Sequence, residues 1–361
     1  MNCLKNLDRI NYPAELVMDL TKLYRFKGKD FYYEDVLKNY LSGIIKVTVH
    51  KDCFFAAKLL GLDISENRMR LIIKKDSQPR TLDEKVLANL KGVFELIQQK
   101  HDDIELTSNE FLQLAIKIFK DVQNIGYSKE VKKVRVNLLE ERKQESKREQ
   151  FDMLMRLFID SINYKNIEPT QVITNLYVDL LHMNVFTSHN EFMALIIQYC
   201  LLFRERFNLF KYVSFFEMYY KKMDDFKTAT AGASFNWAEG FANTAILNRM
   251  TIQIMLDGYQ VVEKAVADFH FDKKLRKVDN VETTILKLGE VFTKDQIKQA
   301  HPQLSDSTIN RALANLKAQN KIRSNGTGRS ATWIRLVPDE LLNSNVKQMT
   351  LFDLISGEDD I

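Results

Sequence analysis

Apolar positions recur at three- and four-residue spacing over most of the chain, which predicts a mainly helical protein. Leu82, Val86, Leu90, Phe94 and Ile97 form one such stripe. Thr81 precedes it, with Glu84 three residues on, the pattern of a capping box. Thr107 and Ser108 open a second helix carrying Phe111, Leu114, Ile118 and Val122. Further helices are expected over 151–162, 169–183, 191–207, 213–225 and 237–269, the last divided near Gly258. Residues before about 75 read as shorter helices, one starting at Asp30 and one capped around Asp63 to Ser65. The period changes after Gly126: Val134, Val136 and Leu138 alternate with Lys133, Arg135 and Asn137, predicting a strand or exposed hairpin. The charged stretch 139–148 reads as a loop or the start of the next helix.

The last third has a different rhythm. A helix is expected over 281–289, a short step at Phe292 and Thr293, and a second helix over 294–300. A turn follows at 301–304, and Ser305 caps a third helix to Asn320. Ile309, Ala312, Leu313 and Leu316 fall on one face of that helix, leaving Ser307, Asn310, Arg311 and Asn315 on the other. Strands at 321–323 and 331–336 flank Asn325-Gly326-Thr327-Gly328, a turn suited to positive φ. This order is that of a winged helix–turn–helix over 281–336.

Charge sharpens that reading. The chain of 361 residues carries 52 basic and 48 acidic side chains, net +4, so it is no polycation as a whole. From 281 to 336, nine Lys and Arg stand against four Asp and Glu, a local excess above the chain's own. Arg311 and Asn315 are expected at the major groove, where Arg suits guanine and Asn adenine, with Ser307 and Asn310 beside them. Lys321, Arg323 and Arg329 are expected at phosphate, making double-stranded DNA the expected partner. The bland alternative is a winged helix that packs on a protein. The basic run Lys273 to Lys277 leads into this region. Cys3, Cys53 and Cys200 lie far apart without metal-type spacing, so no metal site is expected. No signal-like start and no apolar run of about 20 residues occurs, giving the expectation of a cytoplasmic chain with no membrane contact.

From Thr81 to Phe269 the order of elements resembles the Fic (Fido) family, whose members mostly transfer AMP to protein hydroxyls. Leu106-Thr107-Ser108 and the next helix resemble its early core helix, and Val134-Arg135-Val136 lies where the family carries a target-docking flap. Helices over 151–162 and 169–181 resemble the pair before its active-site loop. His182 to Asn190 lies where the family has HPFxxGNGR, Glu191 to Phe203 resembles the helix after it, and Met218-Tyr219-Tyr220 ends a late segment of similar pattern. A winged helix after such a core is frequent in the family.

The resemblance also implies what is missing. His182 keeps the place of the general base. The acidic residue that holds Mg²⁺ corresponds to Phe186, and the phosphate-cradling Gly-Asn-Gly turn to Thr187-Ser188-His189. The phosphate-binding Arg corresponds to Asn190 and a second Arg to Met193. A base without metal ligand or cation should not sustain AMP transfer, since charge neutralisation is the larger part of such catalysis. The loop therefore reads as degenerate, and no cofactor is expected. ATP and Mg²⁺ belong to the alternative, a divergent AMP transferase using His182.

The polar tail holds Gln348-Met349-Thr350-Leu351-Phe352, which resembles the bacterial sliding-clamp motif. Leu351 and Phe352 would fill an apolar pocket while Gln348 anchors by hydrogen bonds; the alternative is a tail folded onto its own chain. The whole reads as a mainly α protein: a helical region at 1–80, a Fic-like helical domain at 81–270, a small α+β winged-helix domain at 271–338 and a tail at 339–361. Its expected role is that of a bacterial DNA-binding regulatory or interaction protein, with self-association into a homodimer a further partner expectation.

Overall fold

Helix caps and apolar stripes set most of the architecture. The computed structural model describes residues 3–9, 12–129, 132–133, 144–274, 281, 284–285, 288–301, 304–326 and 331–336. Contacts divide the chain into two compact units, Met1–Val262 and Glu263–Ile361.

The first unit begins with a 3-10 segment, Leu4–Arg9, and continues through α1 (Ala14–Lys27), α2 (Asp30–Leu37), α3 (Leu41–Leu60) and α4 (Glu66–Lys75). Then come α5 (Leu82–Lys100), α6 (Ser108–Ile118), α7 (Lys147–Asn163), α8 (Pro169–Met183) and α9 (Asn190–Arg204). α10 (Phe215–Lys221) and α11 (Met223–Ser234) follow, and then α12 (Ala245–Lys274), within which the boundary between the units falls at Val262. Residues 1–80 belong to this unit, with α3 packed on α5 and α10. Between α6 and α7 lies an antiparallel pair, β1 (Lys132–Lys133) and β2 (Gln144–Glu145), in the register Lys132↔Glu145. The expected flap residues Val134 to Val136 lie outside the described residues.

Helices α8 and α9 are the centre of the unit: residues 170–180 and 192–203 are all buried. A helix apolar all round belongs inside, but α8 also carries polar groups that need partners there. Gln171 Nε2 donates to Thr244 Oγ1 at 2.8 Å, Asn248 Nδ2 donates to Gln171 Oε1 at 2.9 Å, and Thr174 Oγ1 donates to Asn248 Oδ1 at 3.1 Å. These bonds fix α8 against α12. A second buried group ties α3 to α9 and α10. Asp52 is fully buried and accepts from Ser214 Oγ at 2.6 Å, the Phe216 N–H at 3.1 Å and Tyr199 OH at 3.1 Å. Burial pushes its carboxyl up to about 7.

Two local expectations need correction. Thr81 does accept from the Glu84 N–H, at 3.2 Å, but Glu84 does not complete the box. Its carboxylate instead accepts from the Arg80 N–H and pairs with Arg68 at 2.8 Å, a stronger charge-assisted partner. The last helix starts at Ala245 rather than near Trp237, and it is not divided at Gly258. A Cβ at Gly258 would lie 3.1 Å from side-chain atoms of both Leu209 and Val213, so the glycine permits close packing within a continuous helix. Of the charged stretch 139–148, residues 139–143 lie outside the described residues; β2 takes Gln144–Glu145, and a complete capping box between Ser146 and Glu149 starts α7, in keeping with the expected helix start.

The second unit is a small α+β fold. Val281, Thr284 and Ile285 are helical, then β3 (Val291–Thr293) leads into α13 (Lys294–Ala300). α14 (Asp306–Ala318), β4 (Ile322–Asn325) and β5 (Thr332–Arg335) follow. The antiparallel sheet has the order β3-β5-β4, with Trp333 opposite both Phe292 and Ser324. Its core gathers Phe292, Ile297, Ile309, Leu313, Leu316 and Ile322, with Val281 and Ile285 from the first helix.

Candidate functional site

Two places merit description, one in each unit. In the first, α8 ends because Asn184 adopts left-handed backbone at φ 47°, closing the last turn through its N–H to Leu180 O. His182 lies exposed in that last turn. Its ring stacks on Trp237 with centroids 4.4 Å apart and planes at 12°. The indole Nε1 donates to Asp179 Oδ1 at 2.7 Å, and the backbone N–H groups of Cys3 and Leu4 donate to the same carboxylate at 3.0 Å.

Beyond Asn184 the chain pairs with residues 126–128. The Ser128 N–H donates to Val185 O and the Thr187 N–H donates to Gly126 O, both at 2.9 Å, with a bridge between Tyr127 and Phe186. Phe186 is 2 % exposed and meets Phe151 edge-on at 5.8 Å. Asn190 closes a ring on the Phe186 backbone: its Oδ1 accepts from the N–H at 2.8 Å and its Nδ2 donates to the carbonyl at 2.9 Å. His189, left-handed at φ 56°, lies flat on Phe119 at 4.1 Å, and its Nε2 is 3.0 Å from Gln123 Oε1. Burial holds its imidazole below the usual histidine range. Lys147, nearly buried, donates to the Met183 carbonyl at the end of α8.

The chemistry of this loop follows from where its polar groups go. The N–H groups of Phe186 and Thr187 are used within the chain, as is the side chain of Asn190. Met193 is fully buried in α9, and Glu191 places a carboxylate in the first turn of that helix. Among the described residues no group of three or more His, Cys, Asp or Glu side chains is arranged to hold a metal ion.

In the second unit, Ser305 caps α14 by accepting from the Thr308 N–H at 3.3 Å. Ile309, Ala312, Leu313 and Leu316 are buried, which leaves Ser307, Asn310, Arg311 and Asn315 exposed together on the outer face. Ser307, Arg311 and Asn315 follow one another at four-residue spacing along that face. Arg323 is exposed on β4, whereas Lys321 is half-buried where α14 meets β4. Lys317 Nζ reaches Ser324 Oγ at 3.4 Å. Arg329, Gln348, Leu351 and Phe352 lie outside the described residues.

Sequence reading missed two features. One is the His182–Trp237 stack, which joins residues distant in sequence. The other is a charge cluster at the start of α14, where Lys294 and Lys298 of α13 both approach Asp306. The four-residue spacing of the two lysines was its only sequence signal.

No family model matches the chain, and no curated protein matches it. Among solved structures it is similar to the crystal structure of a Fic family protein from Desulfovibrio desulfuricans G20. The TM-score is 0.58 at 12 % identity, covering 91 % of this chain and 98 % of that one. The likeness is one of fold: a Fic-like helical domain with a small α+β domain after it. No helix among the described residues is long and apolar enough to cross a membrane.

Proposed function

We propose that the chain is a DNA-binding protein whose second unit is a winged helix–turn–helix, carried on a Fic-like body with a degenerate loop. The observation that carries this reading is the outer face of α14. Arg311 and Asn315 stand exposed with Ser307 and Asn310, free of the core that the opposite face fills. Arg reads guanine and Asn reads adenine in the major groove, which admits one helix of this kind. Arg323 on β4, with Lys321 beside it and Arg329 beyond, supplies phosphate contacts. Duplex DNA should be shifted by the wild-type protein at low salt, with affinity falling as salt rises. Arg311→Ala combined with Arg323→Ala should abolish the shift, and absence of wild-type binding at low salt would remove the reading.

The body's loop supports the same conclusion from the other side. Phosphate recognition at a helix N-terminus needs free backbone N–H groups and nearby cations. Here Phe186 is buried against Phe151, Asn190 is tied to its backbone, and Glu191 opens α9 with negative charge. We read the body as a pseudoenzyme that needs no cofactor, in a bacterial cytoplasmic protein. Gln348, Leu351 and Phe352 are proposed to engage a sliding clamp, and self-association as a homodimer would present two reading helices.

A further inference from the structure

Asp306 is the one acidic side chain of α14, and it stands in the first turn of that helix, 68 % exposed. Its carboxylate meets two ammonium groups of α13. Lys294 Nζ lies 3.3 Å from Oδ2 and Lys298 Nζ 3.6 Å from Oδ1. The two lysines are four residues apart and so share one face of α13. Lys298 also donates to the Leu304 carbonyl in the turn joining the helices. The hydrogen bond from Lys294, with the second lysine behind it, holds the Asp306 carboxyl below its usual range.

Exposed ion pairs of this kind add little to stability. Their consequence lies in what they place together. In a helix–turn–helix the helix before the reading helix crosses the sugar-phosphate backbone, and a helix N-terminus favours an anion. Both ammonium groups are already gathered at that end of α14 around a carboxylate. We propose that Asp306 stands in for a DNA backbone phosphate: it holds Lys294 and Lys298 ordered in the free protein and yields them to a phosphate of the bound duplex. The inference rests on the reading of α14 as a DNA-binding helix. The carboxylate keeps the lysines poised but also repels the incoming phosphate. Asp306 therefore limits affinity for every sequence alike and leaves base reading to Arg311 and Asn315.

The test is duplex binding over a range of salt concentrations, on several unrelated sequences, by the full chain. Asp306→Asn keeps shape and removes charge. Asp306→Ser serves as a second variant with a residue favoured at helix starts, and thermal melts confirm that both fold. Each should bind about tenfold tighter at low salt on every sequence, with the salt slope steeper by about one. Lys294→Met with Lys298→Met should weaken binding and reduce the slope by about two. Adding Asp306→Asn to that pair should then tighten binding by less than it does alone, because only the direct repulsion of phosphate is left to remove. Wild-type binding together with unchanged affinity and slope in Asp306→Asn overturns the inference while leaving the DNA reading intact. Weakening confined to one sequence also overturns it, by making Asp306 a reader of cytosine. Absence of wild-type binding removes both.

Discussion

Trp237 lies flat on His182, ring centroids 4.4 Å apart, and the same indole donates to Asp179 one turn earlier on α8. A residue from the turn before α12 thus covers one face of the His182 ring. The stack and the hydrogen bond separate by mutation. Trp237→Phe keeps the stacking surface and loses the donor, and should cost about 1–2 kcal/mol in urea unfolding. Trp237→Ala removes both and should cost about 3–5 kcal/mol. Equal losses in the two variants would mean that the Asp179 bond carries the whole effect.

The loop from His182 to Asn190 carries a chemical prediction. Incubation with labelled ATP, Mg²⁺ and a protein acceptor should give no incorporation, and His182→Ala should be indistinguishable from wild type. Label transfer that disappears in His182→Ala would establish a catalytic role for this loop despite Phe186.

Gly258 sets two opposed effects against each other. Alanine gains about 1 kcal/mol over glycine in a helix interior. A Cβ there crowds Leu209 and Val213 at 3.1–3.2 Å, and overpacking costs about 1–3 kcal/mol. The crowding should win, so Gly258→Ala is expected to lower the melting midpoint by a net loss of roughly 1 kcal/mol. A stabilised variant would show that Leu209 yields at little cost.

Asp52 makes a prediction in pH. Its folded value, about 7, lies above the 3.8 of an ordinary Asp, because burial disfavours the charge. The folded state therefore binds the proton more tightly, and the associated stability is present at low pH and lost as pH rises from about 4 towards 7. Asp52→Asn imitates the neutral form throughout. Its stability relative to wild type should rise across that window and level off above it, by at most roughly 4 kcal/mol. His50 works with the opposite sign: burial lowers it to about 4, and its contribution is lost as pH falls from 6.5. It cancels when the two proteins are compared at each pH. A difference that is flat with pH would contradict the buried-carboxylate account.

The tail carries a separate expectation. A peptide covering Lys347 to Ile355 titrated with a bacterial sliding clamp should bind through Leu351 and Phe352, and substituting both by alanine should abolish binding. No detectable binding by the unsubstituted peptide would remove the clamp from the account.

Elements governed by local chemistry were legible in the sequence. α8 spans Pro169–Met183 as expected, because Glu168 caps it, proline suits the first turn and Asn184 stops it. In α14 the Ser305 cap and the spacing of Ile309, Leu313 and Leu316 fixed both the start of the helix and its exposed face. Where a distant partner decides, the sequence was silent. Glu84 leaves its capping box for Arg68, Gly258 makes room for Leu209 rather than ending a helix, and Trp237 finds His182 across the fold. In the loop from His182 to Asn190, the uncharged side chains of Phe186 and Asn190 were visible as letters. That Phe186 is buried and that Asn190 bonds its backbone emerged only from the folded chain.

The central claim is that α14 reads duplex DNA, and a salt titration of duplex binding addresses it most directly. The account predicts that wild-type protein binds at low salt, that log affinity falls linearly with log salt, and that Arg311→Ala with Arg323→Ala abolishes the complex. Wild-type protein that leaves every duplex unshifted at low salt, or a double variant that binds as well as wild type, would contradict it.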